Sequence, residues 1–226
     1  MNSKINRRKF VQTSVCAIGG ITLPGMAMAK RKIKPIRFGI ITDIHYADAP
    51  DNPALNRYFR ESLEKVAECT ELMNEQKVDF LIELGDLKDQ GNPPVETETL
   101  KYLESIENVL KQFNGPVYHV LGNHDHDSIS KLQFLKAISN DGFYNAINFY
   151  SFTWASFHFI VLDANYNALG QEYDHGNFDW TEAHIPDSQF AYLSEGLEDP
   201  IAFKCAGGEE RRIEMRVQVS LYFFNR

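Results

Sequence analysis

Three short polar motifs, each directly after an apolar run, hold the residues of this sequence that could do chemistry. They are Asp43-Ile44-His45, a second motif from Gly85-Asp86 to Asp89, and Gly122-Asn123-His124-Asp125. Carboxylate, imidazole and amide ligands together suit divalent ions such as Mn, Fe or Zn. Each glycine allows a sharp backbone turn just before a candidate ligand. The motifs therefore indicate a metal site, provided that the fold brings them together.

The segments between the motifs have the periodicity of a repeated strand–helix unit. Apolar runs at 36–42, 78–84 and 117–121 predict buried strands, and helical spacing predicts one helix over about 57–76 and another ending near 113. Two βαβ units result, with parallel strands. Ligands bind at the carboxyl ends of such strands, so the motifs should share one sheet edge. Each motif alone also fits ordinary turn chemistry, and only their joint placement argues against that alternative.

Further elements are predicted downstream of the third motif. Residues 149–155 and 157–163 have the pattern of a hairpin with aromatic strands. Residues 165–186 form a long polar stretch and predict a loop, and residues 187–198 predict a helix. The predicted fold class is therefore α/β.

The motif set D-x-H, G-D-x-x-D and G-N-H-D resembles the calcineurin-like metallophosphoesterase family. The resemblance runs from about residue 36 to residue 197 and implies an α/β sandwich with a site for two divalent metal ions. It implies that Asp43 and His45 bind the first metal and that Asp86 bridges both. Asn123 would bind the second, and His124 would act near the leaving group without being a ligand.

The same resemblance implies a metal-dependent phosphohydrolase that cleaves phosphate ester or phosphoanhydride bonds by metal-activated hydroxide. His124 would donate a proton to the departing oxygen, and the Asp125 carboxylate would orient its ring. Asp89 would either hydrogen-bond a ligand or cap the following loop. The motifs do not separate a monoesterase from a diesterase or a diphosphatase.

A narrower resemblance concerns the manganese-dependent ADP-ribose/CDP-alcohol diphosphatase branch of the family. It is carried by residues 38–40, 45–48, 57–63 and 159–164. It implies a small phosphorylated substrate, such as a nucleotide diphosphate derivative. Arg57 and Arg60 could then face a diphosphate, although such arginines often simply solvate a helix face.

The charge of the chain excludes several classes of protein. Lys and Arg number 23 against 31 Asp and Glu, a formal net charge of −8. An acidic body does not suit a general nucleic-acid binder, so no nucleic-acid partner is expected. No run of about eighteen apolar residues occurs, so we expect no stable membrane span.

The amino-terminal region differs from the rest, because its first 42 residues contain nine basic residues and no acidic one. Arg7 and Arg8 precede a mildly apolar stretch, and Ala27-Met28-Ala29 has the form of a cleavage site. This order predicts an export signal over residues 1–29. The paired arginines resemble the twin-arginine (Tat) motif, which a receptor reads. We expect the Tat machinery as a partner and a periplasmic or secreted protein, with a membrane anchor or basic tail as the alternative.

The remaining chain divides into a metallophosphoesterase domain at 30–200 and a divergent tail at 201–226. The family completes its site with three later histidines, and residues 201–226 contain none. We therefore expect a sandwich that is incomplete at its C-terminus. Two interpretations stay open, a phosphohydrolase or a truncated or diverged non-catalytic metal-binding relative. Lone histidines usually have structural or solvent roles. The alternatives are that His126 reaches substrate and that others serve as replacement ligands: His119, His158, His175 and His184.

Overall fold

A three-stranded parallel sheet, in the order β1-β2-β3, carries the three motifs. Its strands are β1 (Phe38–Ile41), β2 (Phe80–Glu83) and β3 (Val117–His119). The computed structural model describes residues 35–198 except 56, 142–147, 156 and 180, so the predicted export signal and tail lie outside the described residues. All four residues of β2 are buried, as expected for a central strand covered on both faces.

Two long helices, α1 (Glu61–Glu75) and α2 (Glu96–Leu110), pack on one face of this sheet. Leu103, Ile106 and Leu110 of α2 lie fully buried at helical spacing. A third helix, α3 (Lys131–Ala137), follows the third motif and adds Phe134 to the same core. The buried apolar faces of these helices therefore hold the helices against the sheet, next to the loops that carry the motifs.

An antiparallel hairpin of β4 (Tyr150–Trp154) and β5 (Phe157–Val161) contributes the aromatic side chains of a second core. Phe80 of β2 is fully buried there, with ring centroids 5.6 Å from Phe152 and 5.2 Å from Phe159. The last described helix is α4 (Asp187–Glu198), whose buried Gln189 hydrogen-bonds the backbone of Asp163.

These elements confirm the predicted α/β class, the parallel strands, the hairpin and the helix at 187–198. Between 165 and 186 the described residues form no helix or strand, as predicted. The first helix was predicted to start near Arg57 but begins at Glu61, because the backbones of Arg57 and Asn52 pair in a tight loop. The helix α3 was not predicted. Among the described helices, none is long and apolar enough to cross a membrane.

Candidate metal centre

The loops after β1 and β2 stay paired beyond the ends of their strands. The backbone N–H of Asp43 donates to the carbonyl of Gly85 at 3.2 Å, and that of His45 donates to the carbonyl of Asp86 at 2.8 Å. The first two motifs therefore lie side by side at the carboxyl edge of the sheet, as the sequence predicts.

Three of the candidate ligands have a left-handed backbone. The φ angles are 54° at Asp43, 48° at His45 and 56° at Asp86. Residues with a Cβ seldom adopt this region, and each such residue costs about 1–3 kcal/mol unless its surroundings hold it. Lys77, Ala155 and His175 also have a positive φ, so what distinguishes the motifs is that three such residues lie together at one edge of the sheet, as is typical of functional sites.

Two glycines allow the second and third motifs to touch. Gly85 has a φ of 97°, and a Cβ on Gly122 would overlap the backbone and the carboxylate of Asp86. This close approach lets the backbone N–H of His124 donate to Asp86 Oδ1 at 2.9 Å. The glycines thus fix where the Asp86 carboxylate lies relative to the third motif.

The His45 ring connects the carboxylates of the site. Its Nε2 lies 3.8 Å from Asp43 Oδ1 and 3.6 Å from Asp86 Oδ2, and its Nδ1 lies 3.4 Å from Asp89 Oδ2. The first two distances exceed a good hydrogen bond, whereas two ligands of one ion at about 2.1 Å each are separated by about 3–3.5 Å. A carboxylate behind the other ring nitrogen is the usual support of a metal-binding histidine. The set of Asp43, His45 and Asp86 therefore fits a divalent cation.

Asp89 is buried between two histidines and an arginine. Its Oδ1 lies 3.4 Å from His124 Nδ1, and Arg57 Nη1 donates to its Oδ2 at 2.6 Å. The second terminal nitrogen of Arg57 lies 3.3 Å from His124 Nε2. Arg57 and the far edge of the His124 ring are thus brought together beside the candidate ligands.

The carboxylates control the protonation of the two histidines. Burial alone would lower the pKa of His124, but Asp127 and Asp89 outweigh it and raise that pKa to about 9. For His45 burial is likewise outweighed, chiefly by Asp43 and Asp89, so its pKa is raised. His45 in turn lowers the pKa of Asp43. The pocket thus has an excess of negative charge, which attracts protons or metal cations.

The structure corrects the expectation that Asp125 orients His124. Asp125 is fully buried and accepts hydrogen bonds from the backbone N–H groups of Asp86, Leu87 and Gly122 at 3.0, 2.9 and 2.8 Å. It therefore ties the loops together, while the carboxylates near the His124 ring belong to Asp89 and Asp127.

The two remaining predicted residues are placed differently. Asn123 is half-buried and begins the short 3-10 helix Asn123–His126. It directly precedes His124, whose backbone N–H donates to Asp86. Arg60 is not brought to the pocket, since its guanidinium pairs with Asp48 on the surface at 2.5 Å. A substrate role for Arg60 is therefore not favoured by its position.

Sequence reasoning missed two buried residues of the pocket, Lys88 and Asp127. Neither stands at a position of the motif pattern, so no local signal identifies them. Ligand atoms of His45, Asp86 and His124 lie within 4.8 Å of one another, and so do those of Asp89, His124 and Asp127. Among the described residues, no such group includes the histidines weighed above as replacements: His119, His126, His158, His175 and His184.

Comparison with known proteins gives a consistent result. The family model described as calcineurin-like phosphoesterase matches residues 36–204. Two similar curated proteins are both called manganese-dependent ADP-ribose/CDP-alcohol diphosphatase. The one from Oryza sativa subsp. japonica is 30% identical over 67% of this chain and 48% of its own length. The one from Arabidopsis thaliana is 32% identical over 62% of this chain and 46% of its own length.

A solved structure supports the fold. The crystal structure of a dimetal phosphatase from Danio rerio superposes with a TM-score of 0.58 at 22% identity, and covers 72% of this chain and 65% of that one. The chain spans about half the length of the two curated plant relatives that it matches.

Proposed function

The chain belongs to the calcineurin-like phosphoesterase family, and on that premise we propose that it is a metal-dependent phosphohydrolase cleaving phosphate ester or phosphoanhydride bonds. One observation carries the proposal. His45 Nε2 stands 3.8 and 3.6 Å from the carboxylates of Asp43 and Asp86, beside a histidine and an arginine that face each other. Such a pocket combines cation ligands with donors for an anion.

The residues present fit the divalent ions of the family. Asp43 and His45 would hold one ion, Asp86 would be shared, and Asn123 would contribute to the other. When bound, divalent cations neutralise charge on phosphoryl oxygens and activate water as a nucleophile. The acidic pocket has the charge to retain them, because Asp89 adds a further carboxylate behind His45.

His124 and Arg57 supply the other half of the chemistry. With its pKa raised to about 9, His124 carries a proton at neutral pH. Its Nε2 and the neighbouring Arg57 nitrogen, 3.3 Å apart, then form a pair of cationic donors suited to phosphate oxygens. His124 can pass its proton to the departing oxygen, a step that typically contributes about 10²–10⁴-fold to the rate. Asp89 holds both cationic groups in place.

The proposed substrate is a small molecule carrying a phosphate ester or a diphosphate, such as a nucleotide diphosphate derivative. The names of the plant relatives support this class. Arg57 supports it as well, because a guanidinium beside the pocket can bind a second phosphate group.

The test is hydrolysis by the purified chain of ADP-ribose, p-nitrophenyl phosphate and bis-p-nitrophenyl phosphate, with Mn²⁺ or with a chelator. We expect turnover only with the metal, and the preferred substrate identifies the bond type. Metal binding without hydrolysis of any of the three would instead favour a non-catalytic metal-binding relative.

We also propose that the protein is exported in folded form by the Tat machinery to the periplasm or the medium. Arg7 and Arg8, the apolar stretch that follows and Ala27-Met28-Ala29 support this proposal. Replacing both arginines by lysine should leave the protein in the cytoplasm with its leader attached. Fractionation with immunodetection measures this, and unchanged export of the double variant would contradict the proposal.

A further inference from the structure

A buried ion pair joins the loop of the second motif to the turn that follows the third. Lys88 is fully buried, and its ammonium donates to a carboxylate oxygen of Asp127. The same ammonium donates to the backbone carbonyl of His124 at 2.5 Å. Asp127 is 5% exposed and accepts a further bond from the Ser128 backbone N–H at 2.6 Å. The pair therefore connects two loops of the candidate site directly.

Stability alone does not explain such a pair. Removing a lysine and an aspartate from water is costly, and well-packed apolar side chains of similar volume often stabilise a protein as well or better. Unlike apolar packing, an ion pair has a definite geometry, because the ammonium and the carboxylate hold each other at particular atoms. The residues that contact these atoms therefore show what the pair positions.

Both partners contact His124, one at its backbone and one at its ring. Lys88 donates to the carbonyl of His124. Asp127 Oδ2, which has no hydrogen-bond partner within the described part of the chain, lies 3.8 Å from His124 Nδ1. Asp89 stands at 3.4 Å from the same nitrogen. Nδ1 therefore faces two carboxylates at ion-pair distance, with no hydrogen bond of its own among the described residues, and Nε2 faces Arg57 on the other side of the ring.

We propose that Lys88 and Asp127 are positioning residues that fix the His124 ring with Nε2 directed at the leaving group. This inference rests on the proposed function, in which His124 donates a proton to the departing oxygen. Lys88 fixes the backbone from which the ring projects, and Asp127 fixes the ring. Loss of the pair should therefore loosen His124 without removing any metal ligand.

The chain offers a matched control in a second buried ion pair. Lys131 Nζ donates to Asp163 Oδ2 at 2.8 Å, and both residues are at most 4% exposed. Within the described part of the chain, their other polar contacts are with residues 165–174, Asn148 and α4, and not with His124. Lys131→Met and Lys88→Met thus make the same chemical change in two similar environments, only one of which holds His124.

The first readout is independent of activity. In the full metal-free chain, ¹³C relaxation of the His124 ring should report a rigid side chain, with an order parameter near about 0.85, and Lys88→Met should lower it below about 0.6. Since Lys88→Met leaves Asp127 without its partner and could unfold the protein, Lys88→Met/Asp127→Leu serves as a neutral second variant. Lys131→Met should leave the ring rigid. Equal ring order in wild type and in either Lys88 variant would overturn the proposal.

The second readout separates positioning from general damage. Proton donation matters most for a poor leaving group, so the Lys88 variants should lose at least about tenfold in kcat with phenyl phosphate and much less with p-nitrophenyl phosphate, at unchanged KM. Lys131→Met should change both esters alike. Equal losses of kcat for both esters in the Lys88 variants would contradict the proposal that the pair positions His124 for proton donation. A wild-type chain that binds Mn²⁺ but hydrolyses neither these esters, nor bis-p-nitrophenyl phosphate, nor ADP-ribose would contradict the proposed function and, with it, this role.

Discussion

At the residue scale, the chemistry depends on which carboxylate faces which ring nitrogen. The sequence predicted that Asp43, His45 and Asp86 would come together, because each stands at the end of a parallel strand. It could not predict the partners of His124, since Asp125 is its neighbour in the chain yet turns to backbone amides, while Asp89 reaches the ring from another loop. Such contacts follow from the path of the loops, which no local pattern encodes.

The position of Asp89 behind His45 predicts a defect in metal binding when its charge is removed. Asp89→Asn should weaken Mn²⁺ affinity by about 10–100-fold, as loss of the supporting partner of a metal-binding histidine usually does. Isothermal titration of the purified protein measures this. Asp48→Asn, which alters an exposed ion pair with Arg60, should bind Mn²⁺ like the wild type. Wild-type affinity in Asp89→Asn would show that Asp89 does not support His45.

The buried His126 predicts a pH dependence of stability. Burial, aided by the charge of Lys131, lowers its pKa to about 4, against about 6.5 in an unfolded chain. Because the folded pKa is the lower one, the contribution of neutral His126 is complete above about pH 6.5 and is lost as the pH falls towards 4. The loss amounts to about 3 kcal/mol of unfolding free energy.

Replacing His126 by glutamine, which does not titrate, should make the unfolding free energy fall less steeply between pH 6.5 and pH 4. Urea unfolding at a series of pH values measures this slope. If His126→Gln had the same dependence of unfolding free energy on pH as the wild type, burial of neutral His126 would not contribute to it.

At the scale of secondary-structure elements, buried apolar runs and long helical stripes were predictive, and the pattern of a short helix was not. The strands, the hairpin and α2 follow from periodicity, whereas α3 has only seven residues, too few to show a clear period. A capping box marks its start, since Ser130 and Gln133 bond reciprocally at 3.1 and 2.7 Å, and that signal could have identified the helix. Arg57 was assigned to α1 because helical spacing does not reveal the tight Asn52–Arg57 pairing that precedes it.

The contact between the loops after β2 and β3 predicts that Gly122 tolerates no side chain. Gly122→Ala would drive a methyl group into the Asp86 backbone and carboxylate, so the unfolding free energy should fall by about 1–3 kcal/mol and Mn²⁺ binding should weaken. Gly91→Ala is the matched control, because its methyl group would meet neighbours only at 3.4 Å or more. Denaturant unfolding and titration with Mn²⁺ compare the two variants. Equal unfolding free energies in both would contradict the close packing of Gly122 against Asp86.

At the scale of the whole molecule, the loops after β1, β2 and β3 bring like charges together in an acidic protein of formal net charge −8. Asp43, Asp86, Asp89 and Asp127 repel one another, and the positive charges that partly offset this repulsion belong to His45, His124, Arg57 and Lys88. A divalent cation that binds only the folded state relieves this repulsion and stabilises the fold.

Mn²⁺ should therefore raise the thermal midpoint of the protein. At a free concentration about 100 times the dissociation constant, the gain is about 2.7 kcal/mol in unfolding free energy. Thermal unfolding with and without Mn²⁺ measures it, and Asp86→Asn should abolish most of the effect. If Mn²⁺ left the midpoint of the wild type unchanged, the pocket would not be a metal site.

The central claim is that the pocket at the sheet edge hydrolyses phosphate bonds with the help of a cation held by Asp86. Its most direct test is the steady-state rate at which the purified chain with Mn²⁺ hydrolyses bis-p-nitrophenyl phosphate, p-nitrophenyl phosphate and ADP-ribose, measured beside Asp86→Ala. We predict metal-dependent turnover by the wild type and a rate lower by about 100-fold or more in the variant, provided that circular dichroism shows both folded. Wild-type turnover no higher than that of Asp86→Ala with all three substrates would contradict the claim.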